Sequence, residues 1–167
     1  MKDTRKNKMA GSDDSSVGNK TRNEKLIAAD VMTRQVVTLT PHHLFSESVT
    51  LMAQHSFRHF LVVDPPDRLV GVVSDRDILR MMARTTKWHR TSVSQIMSTD
   101  VVSVRPDTEI SLVVGKMLSK RINCLPVVDD DNNVCGIITS TDLLKAYRSM
   151  QESLEKRMKS LESRKQQ

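Results

Sequence analysis

The chain has 167 residues, of which 38% are hydrophobic and 3% aromatic, and its formal net charge is +6. This length allows one ordinary domain or two small ones that share a core, and it leaves no room for a catalytic domain beside a second domain. No run of about 18 apolar residues predicts a membrane span, and the polar N-terminus lacks the apolar stretch of a signal peptide. We therefore expect a cytoplasmic protein without membrane contacts.

The first segment, residues 1–24, has few large apolar side chains and many Lys, Asp, Ser, Asn and Gly residues. Such a composition predicts a disordered tail, because little apolar surface is available to offset the ordering of the backbone. Much of the positive charge lies in this tail and near the C-terminus. Nucleic-acid binding is therefore one alternative, although charge runs in tails are more often only solvated.

An internal repeat organises the remainder of the chain. The recurring pairs are Val31-Met32 with Ile96-Met97, Val62-Val63-Asp64 with Val127-Val128-Asp129, and Gly71-Val72-Val73-Ser74 with Gly136-Ile137-Ile138-Thr139. All pairs are separated by 65 positions, so the two copies align without a gap. We assign a first repeat to 25–85, a linker to 86–95, a second repeat to 96–148 and an extension to 149–167.

The hydrophobic period changes in the same order within each repeat. In the first repeat it predicts a strand at 36–39, a helix carrying Phe45, Val49 and Met52, strands at 60–63 and 69–73, and a helix after Ser74. The second repeat begins with a predicted strand at 101–104. Each repeat is therefore strand, helix, strand, strand, helix, which defines an α/β (α+β) fold class.

Two features lie outside the repeats. Trp88 in the linker is expected to pack over the interface between the repeats, and contact with a partner or a nucleotide base is the alternative. The extension carries an apolar stripe along one continuous helix, formed by Tyr147, Met150, Leu154, Met158 and Leu161. Such a stripe favours a partner, either the module itself or a second copy of the chain, and a frayed exposed helix is the alternative.

The spacing Ser/Thr-x-x-Asp follows the hairpin of both repeats, as Ser74 to Asp77 and as Thr139 to Asp142. A predicted strand runs there into the start of a helix, where N–H groups and the positive end of the dipole attract phosphate. The hydroxyl can donate to a phosphate or ribose oxygen, and the carboxylate can accept from both hydroxyls of a ribose. The same side chains would also cap the helix, a role that needs no ligand.

The segments Gly-Val-Val-Ser-Asp-Arg-Asp-Ile-Leu and Gly-Ile-Ile-Thr-Ser-Thr-Asp-Leu-Leu stand in register, each with Val-Val-Asp upstream. In these segments the chain resembles cystathionine-β-synthase (CBS) domains in a tandem, or Bateman, pair, over residues 29–148. The resemblance implies two β-α-β-β-α repeats packed around a pseudo-twofold axis. It further implies an adenine nucleotide (AMP, ADP or ATP) or an S-adenosylmethionine-like ligand in the cleft between them.

The resemblance also implies which side chains contact the ligand. Asp77 and Asp142 would hold ribose, with Ser74, Thr139 and Thr141 near it. Thr38 and Ser103, on the first strands, would approach the ligand. Basic residues that reach polyphosphate in related modules correspond to Arg58 and His59, and the second repeat offers Arg121 and Asn123 in this stretch. Arg58 and His59 could equally be solvated residues at a helix end.

The two repeats differ in how closely they follow the family pattern. Arg76 replaces the hydroxyl residue found at Thr141, so it would either add charge for phosphate or close the pocket. Leu61 stands where the family often has proline, matched by Pro126 in the second repeat. Adenine needs apolar walls, which we assign to Val36, Val37, Val101, Val102 and Pro126. The second repeat is the more typical site.

Other constellations predict neither a metal site nor catalysis. The histidines lack the spacing and the acidic or thiol neighbours of a metal site, and 129–133 lacks the glycine and glutamate of a calcium loop. No nucleophile elbow, Ser-His-Asp order or Walker loop is present. Cys124 and Cys135 lie in apolar surroundings without CxxC spacing, which indicates buried reduced thiols.

We therefore expect a non-catalytic sensor, assembled as a homodimer, whose ligand shifts the angle between the repeats or favours one dimer arrangement. The regulated protein would be a separate, unidentified polypeptide. Two alternatives remain, namely nucleic-acid binding through the basic tails and a structural dimerisation module with empty clefts.

Overall fold

A computed structural model describes residues 25–165 with the exception of 56, 85 and 87, so the predicted tail at 1–24 lies outside the described residues. The helices are α1 (Ala28–Val31), α2 (Phe45–His55), α3 (Asp75–Arg84), α4 (Ile110–Lys120) and α5 (Ser140–Lys165). The strands are β1 (Thr38–Leu39), β2 (His59–Asp64), β3 (Arg68–Ser74), β4 (Cys124–Val128) and β5 (Val134–Thr139). Two short 3₁₀ helices lie at Trp88–Arg90 and Val93–Gln95.

The first repeat forms a three-stranded sheet in the order β1-β2-β3. β1 is parallel to β2, with Thr38 opposite Leu61, and α2 supplies the crossover that a parallel pair requires. β2 and β3 form an antiparallel hairpin whose turn lies at 64–68. The predicted order of strand, helix, strand, strand, helix is confirmed here.

The second repeat retains less of its first strand than we predicted. Instead of a strand at 101–104, a single parallel bridge joins Val104 to Val127 next to the two-stranded sheet β4-β5. The Val104 N–H donates to the Pro126 carbonyl at 3.0 Å. Pro126 occupies the position of Leu61 but has no N–H, so the next bond of the ladder cannot form.

The segment before each repeat packs in the core of the other repeat. Ala28 and Met32, around α1, belong to the core of the second repeat, together with Val104, Val113, Met117, Leu125, Val127 and Ile138. Val93, in the linker, is fully buried in the first core, which also contains Leu39, Phe45, Phe60, Val62, Val73 and Ile78. Each half therefore depends on the other for a complete core.

Trp88 was predicted to pack over the interface between the repeats, but it packs against this first core. Its ring meets the Phe45 ring edge-on, with 5.7 Å between the centroids. The interface itself is a third apolar cluster drawn from both sheets, consisting of Leu61, Leu69, Cys124, Val128 and Ile137. The Leu69 N–H also donates to the Asn132 carbonyl at 3.0 Å, which ties the two hairpins together.

Two equivalent glycines let the crossing segments approach the sheets closely. A Cβ at Gly136 would lie 2.7 Å from the Thr33 carbonyl oxygen, and a Cβ at Gly71 would lie 2.8 Å from the Met97 sulfur. Thr33 consequently pairs with Ile137, and Ser98 pairs with Val72. These bridges bring each crossing segment beside the end of a strand in the other repeat.

Residues 149–165 of the extension form the C-terminal part of α5, and most of them are exposed. The apolar stripe is exposed, with 51% of Leu154 and 62% of Met158 accessible to solvent. The stripe is therefore not docked on the chain itself, which was one of its predicted fates. None of the described helices is both long and apolar enough to cross a membrane.

Candidate ligand-binding cavities

Two cavities flank the interface between the repeats. Cavity one, of about 280 Å³, contains the Ser74-to-Asp77 turn, and cavity two, of about 500 Å³, contains the Thr139-to-Asp142 turn. Every residue that lines cavity two has a counterpart, 65 positions away, that lines cavity one. The cavities are therefore equivalent by the pseudo-twofold relation of the repeats, and their side chains can be compared position by position.

Each cavity combines a helix start from one repeat with the crossing segment of the other. In cavity two, the start of α5 faces Thr33, Gln35, Val36 and Val37. In cavity one, the start of α3 faces Ser98, Asp100, Val101 and Val102. The valines assigned to the adenine walls thus lie opposite the aspartates assigned to ribose, and any ligand between them contacts both repeats.

The cap of α5 leaves part of the Asp142 carboxylate available to cavity two. The Thr139 N–H and hydroxyl both donate to Oδ2 of Asp142, at 2.7 and 2.6 Å. Oδ1 accepts from the Thr33 hydroxyl at 3.1 Å. Since a carboxylate can accept about four hydrogen bonds, capping the helix does not exhaust the acceptor capacity of this half-buried group.

The cap of α3 repeats this arrangement with one change. The Ser74 N–H and hydroxyl donate to Oδ2 of Asp77 at 2.9 and 2.6 Å. Oδ1 lies 3.5 Å from Arg80 Nη1 instead of accepting from a threonine. The Arg80 side chain is 62% exposed, so this ion pair is weak and does not seal the carboxylate.

Arg58 and His59 line both cavities. Arg58 Nε donates to Asp75 Oδ2 at 2.9 Å, and this contact holds the pKa of the Asp75 carboxyl below its usual range. Burial lowers the pKa of His59, which favours the neutral imidazole. Arg58 itself is largely exposed, so its guanidinium can turn toward either cavity or toward solvent.

Most of the predicted site residues come together in these cavities. Those in cavity one are Arg58, His59, Ser74, Arg76, Asp77, Arg121, Asn123 and Pro126. Those in cavity two are Arg58, His59, Asn123, Thr139, Thr141 and Asp142. The roles assigned to these side chains stay predictions.

Thr38 and Ser103 line neither cavity. Thr38 is paired with Leu61 inside the first sheet, and Ser103 precedes the bridge at Val104. The residues that reach the cavities are those just before the strand, Val36 and Val37, and their counterparts Val101 and Val102. The crossing segment thus faces the cavity before it enters the sheet, and the ligand contacts of Thr38 and Ser103 stay predictions.

Sequence reasoning missed several lining residues, namely Thr33, Gln35, Phe57, Ser98 and Asp100. Thr33 and Ser98 are separated by the repeat offset, and so are Gln35 and Asp100. Their position just before the wall valines was the available signal. The sequence alone does not show that this segment crosses to the other repeat.

The cysteines and the acidic turn behave as ordinary structural groups. Burial raises the pKa of Cys124 to about 12, and Cys135 is half-buried. In the turn at 129–133, Asp129 Oδ1 accepts from the backbone N–H groups of Asp131 and Asn133, at 3.0 and 2.8 Å. Within the described part of the chain, no group of three His, Cys, Asp or Glu residues is arranged to hold a metal ion.

Two repeats of similar topology, with a cavity on either side of their interface, define the class of the protein as a tandem of related domains. The chain belongs to the CBS domain family, whose sequence profile matches residues 28–84 and 93–149.

Relatives of known name contain the same module in different settings. Inosine-5′-monophosphate dehydrogenase of Methanocaldococcus jannaschii is 33% identical over 130 residues, which are 78% of this chain and only 25% of the dehydrogenase. The CBS domain-containing protein YhcV of Bacillus subtilis is 36% identical over 68% of this chain and 80% of its own length. This chain thus spans about a quarter of the enzyme it matches.

Solved structures share the fold. The CBS domain pair of protein MJ0100, in complex with 5′-methylthioadenosine and S-adenosyl-L-methionine, has a TM-score of 0.69 at 25% identity, covering 76% of this chain and 99% of that one. CBSX2 in complex with AMP has a TM-score of 0.68 at 25% identity, covering 75% and 98%. The cytosolic domain of the Mg²⁺ channel MgtE in complex with ATP has a TM-score of 0.61 at 31% identity, covering 71% and 47%.

Proposed function

We propose that this protein is a non-catalytic sensor that binds an adenine nucleotide or a related adenosyl compound in the cavities between its two repeats. One observation carries the proposal, namely the Asp142 carboxylate, held by Thr139 at the start of α5, opposite the Val36 and Val37 wall. The carboxylate would accept from both ribose hydroxyls, and the wall would cover the adenine. The complexes of the similar proteins with AMP, ATP and S-adenosyl-L-methionine support this ligand class.

The architecture also supports a way to signal. Because each cavity has walls from both repeats, a ligand contacts the two repeats together and its affinity depends on the angle between them. A ligand that binds one angle more tightly shifts the population toward that angle, and one without such a preference signals nothing. A separate regulated protein would respond to the shifted arrangement.

We propose in addition that the chain forms a homodimer through α5. Leu144, Tyr147, Leu154, Met158 and Leu161 follow heptad spacing and are all exposed. In a parallel pair of these helices, Arg157 of one copy would face Glu162 of the other across the seam, so the charges are complementary. A second copy of the chain is therefore the occupant that this stripe fits.

The dimer proposal is tested by sedimentation of the full chain. The wild type is expected to be dimeric and Leu154→Glu monomeric, because a carboxylate cannot be buried in the seam. Lys156→Glu, which reverses a charge on the outer face of the same helix, is expected to remain dimeric. A monomeric wild type, or a Leu154→Glu variant that is still dimeric, overturns the helix seam.

The ligand proposal is tested by calorimetry of the full chain with AMP, ATP, NADH and S-adenosylmethionine. Micromolar affinity for at least one of them, equivalent to about 8 kcal/mol, would suit a sensor. Asp142→Ala should abolish the heat assigned to cavity two while the protein stays folded by circular dichroism. Asp131→Asn, in the exposed hairpin turn, is the matched control for loss of a carboxylate. Absence of heat with every ligand, as empty clefts would give, refutes the proposal.

A further inference from the structure

We infer that the two cavities take different classes of adenosyl ligand. Cavity one would bind an adenine nucleotide through its phosphate, and cavity two would bind an uncharged adenosyl compound such as adenosine or its 5′-thioether. This inference rests on the proposed function, since it assumes that both cavities hold an adenosyl group. It goes further in assigning the phosphate to only one of them.

The two cavities differ in the charged residues that line them. Among the residues that the structure describes, four arginines and three aspartates line cavity one, whereas one arginine and one aspartate line cavity two. At equivalent positions, Arg76 corresponds to Thr141 and Asp100 to Gln35. The two cavities therefore share the aspartate of the cap and the valine wall, and they differ in the charge around them.

Two of the four arginines in cavity one are already engaged with carboxylates. Arg58 is hydrogen-bonded to Asp75, and Arg80 lies near Asp77. Arg76 and Arg121 are both exposed at the rim of cavity one, and neither makes an ion pair with any residue the structure describes. Two guanidinium groups are thus available for the bidentate contacts that phosphate accepts.

Arg76 occupies a position that suits a cation poorly without an anion. It lies in the first turn of α3, where the positive end of the helix dipole disfavours a cation. Arg121 ends α4 in the left-handed region, with φ of 54°, and lines the same cavity. A phosphate that both side chains contact would neutralise the local charge around Arg76.

Among the described residues, no arginine besides Arg58 lines cavity two, and more of its surface is apolar. Its described polar groups other than Arg58, His59 and Asp142 are neutral, and Phe57 takes the place of Ile122 at its edge. A phosphate there would meet one arginine of the described residues, Arg58, whose guanidinium is already paired with Asp75. Because a charged group must be compensated when it loses water, this larger cavity suits an uncharged ligand.

The inference is tested by measuring AMP and adenosine affinities of the full chain with one cavity disabled at a time. The Asp142→Asn variant disables cavity two. Cavity one, which remains intact, should bind AMP about tenfold or more tighter than adenosine because its phosphate contacts are charge-assisted. The Asp77→Asn variant disables cavity one. Cavity two, which remains intact, should bind AMP and adenosine with dissociation constants within about threefold of each other. Adding KCl should weaken only the AMP binding of cavity one.

Exchange of the differing residue provides the matched variants. Arg76→Thr, added to Asp142→Asn, should reduce the preference for AMP, and Thr141→Arg, added to Asp77→Asn, should create one. If either aspartate variant fails to fold, the same exchanges in the wild type should change the AMP-to-adenosine ratio of one of its two sites. Equal ratios in both cavities, or ratios that the exchanges do not move, overturn the inference while the proposed function stands. Failure of the wild type to bind either ligand overturns both.

Discussion

The first and second repeats have the same helix cap at the same place after the hairpin, but the side chains around the cap differ. In both, a hydroxyl and an N–H hold Oδ2 of an aspartate within 2.9 Å. The other carboxylate oxygen meets a neutral hydroxyl in the second repeat and a guanidinium in the first. The backbone thus fixes where a ribose would be held, and the neighbouring side chains decide what can accompany it.

The largest expected effect concerns the two cysteines, of which Cys124 is buried at the interface between the repeats and Cys135 is half-buried. Because the pKa of Cys124 is about 12, its thiolate fraction at pH 8 should be about a thousandfold below that of an ordinary cysteine. Iodoacetamide should therefore label Cys135 in the native protein and leave Cys124 unlabelled, with both sites reacting in urea. Peptide mass spectrometry measures this, and labelling of Cys124 as fast as Cys135 would contradict the burial of the interface.

The next difference concerns the two glycines at the crossing segments. In Gly136→Ala, the new Cβ meets the backbone carbonyl of Thr33 at 2.7 Å, which cannot move without breaking the bridge to Ile137. In Gly71→Ala, it meets first the flexible end of Met97. We expect Gly136→Ala to lower the free energy of unfolding by about 2–3 kcal/mol and Gly71→Ala by about 1 kcal/mol.

Urea denaturation of both variants measures this difference. Equal losses would mean that the two crossing segments are held with the same tightness, and a larger loss for Gly71→Ala would reverse the comparison. Either result would require a different account of how the segments are fixed beside the cavities.

The smallest expected effect is the pH dependence contributed by His59. Its pKa is lowered by burial, so between the folded and unfolded pKa values the unfolded chain binds more protons. Stability should therefore rise with pH through this window and be lost as the pH falls below about 6.5. Thermal unfolding of wild type and His59→Asn at several pH values checks this, and a wild type that gains stability on acidification relative to the variant would contradict it.

The sequence predicted the order of helices and strands because the repeat displays each signal twice. It could not predict that the strand at 101–104 shrinks to the one bridge of Val104 with Val127, since that depends on the neighbouring Pro126, which has no N–H to continue the ladder. Nor could it show that Ala28 and Met32 enter the second core, because hydrophobic periodicity is local and does not identify the core that a segment joins.

The candidate site was predictable where chemistry and spacing coincide and not where it depends on packing. The Ser/Thr-x-x-Asp turns were identified because hydroxyl and carboxylate at this spacing have a structural reason to be together. Thr38 and Ser103 were assigned through the resemblance to CBS domains, and the residues of their segments that line the cavities are the preceding valines. Thr33, which contacts Asp142, is 109 positions away from it, and no local pattern connects them.

The most direct test of the central claim is a crystal structure of the protein with AMP and adenosine. The account predicts the ribose hydroxyls of a bound ligand within about 3 Å of the Asp142 or Asp77 carboxylate, with adenine against the valines of the other repeat. A ligand bound elsewhere on the chain, or these carboxylates closed into ion pairs beside an adenosyl group that they do not touch, would contradict it.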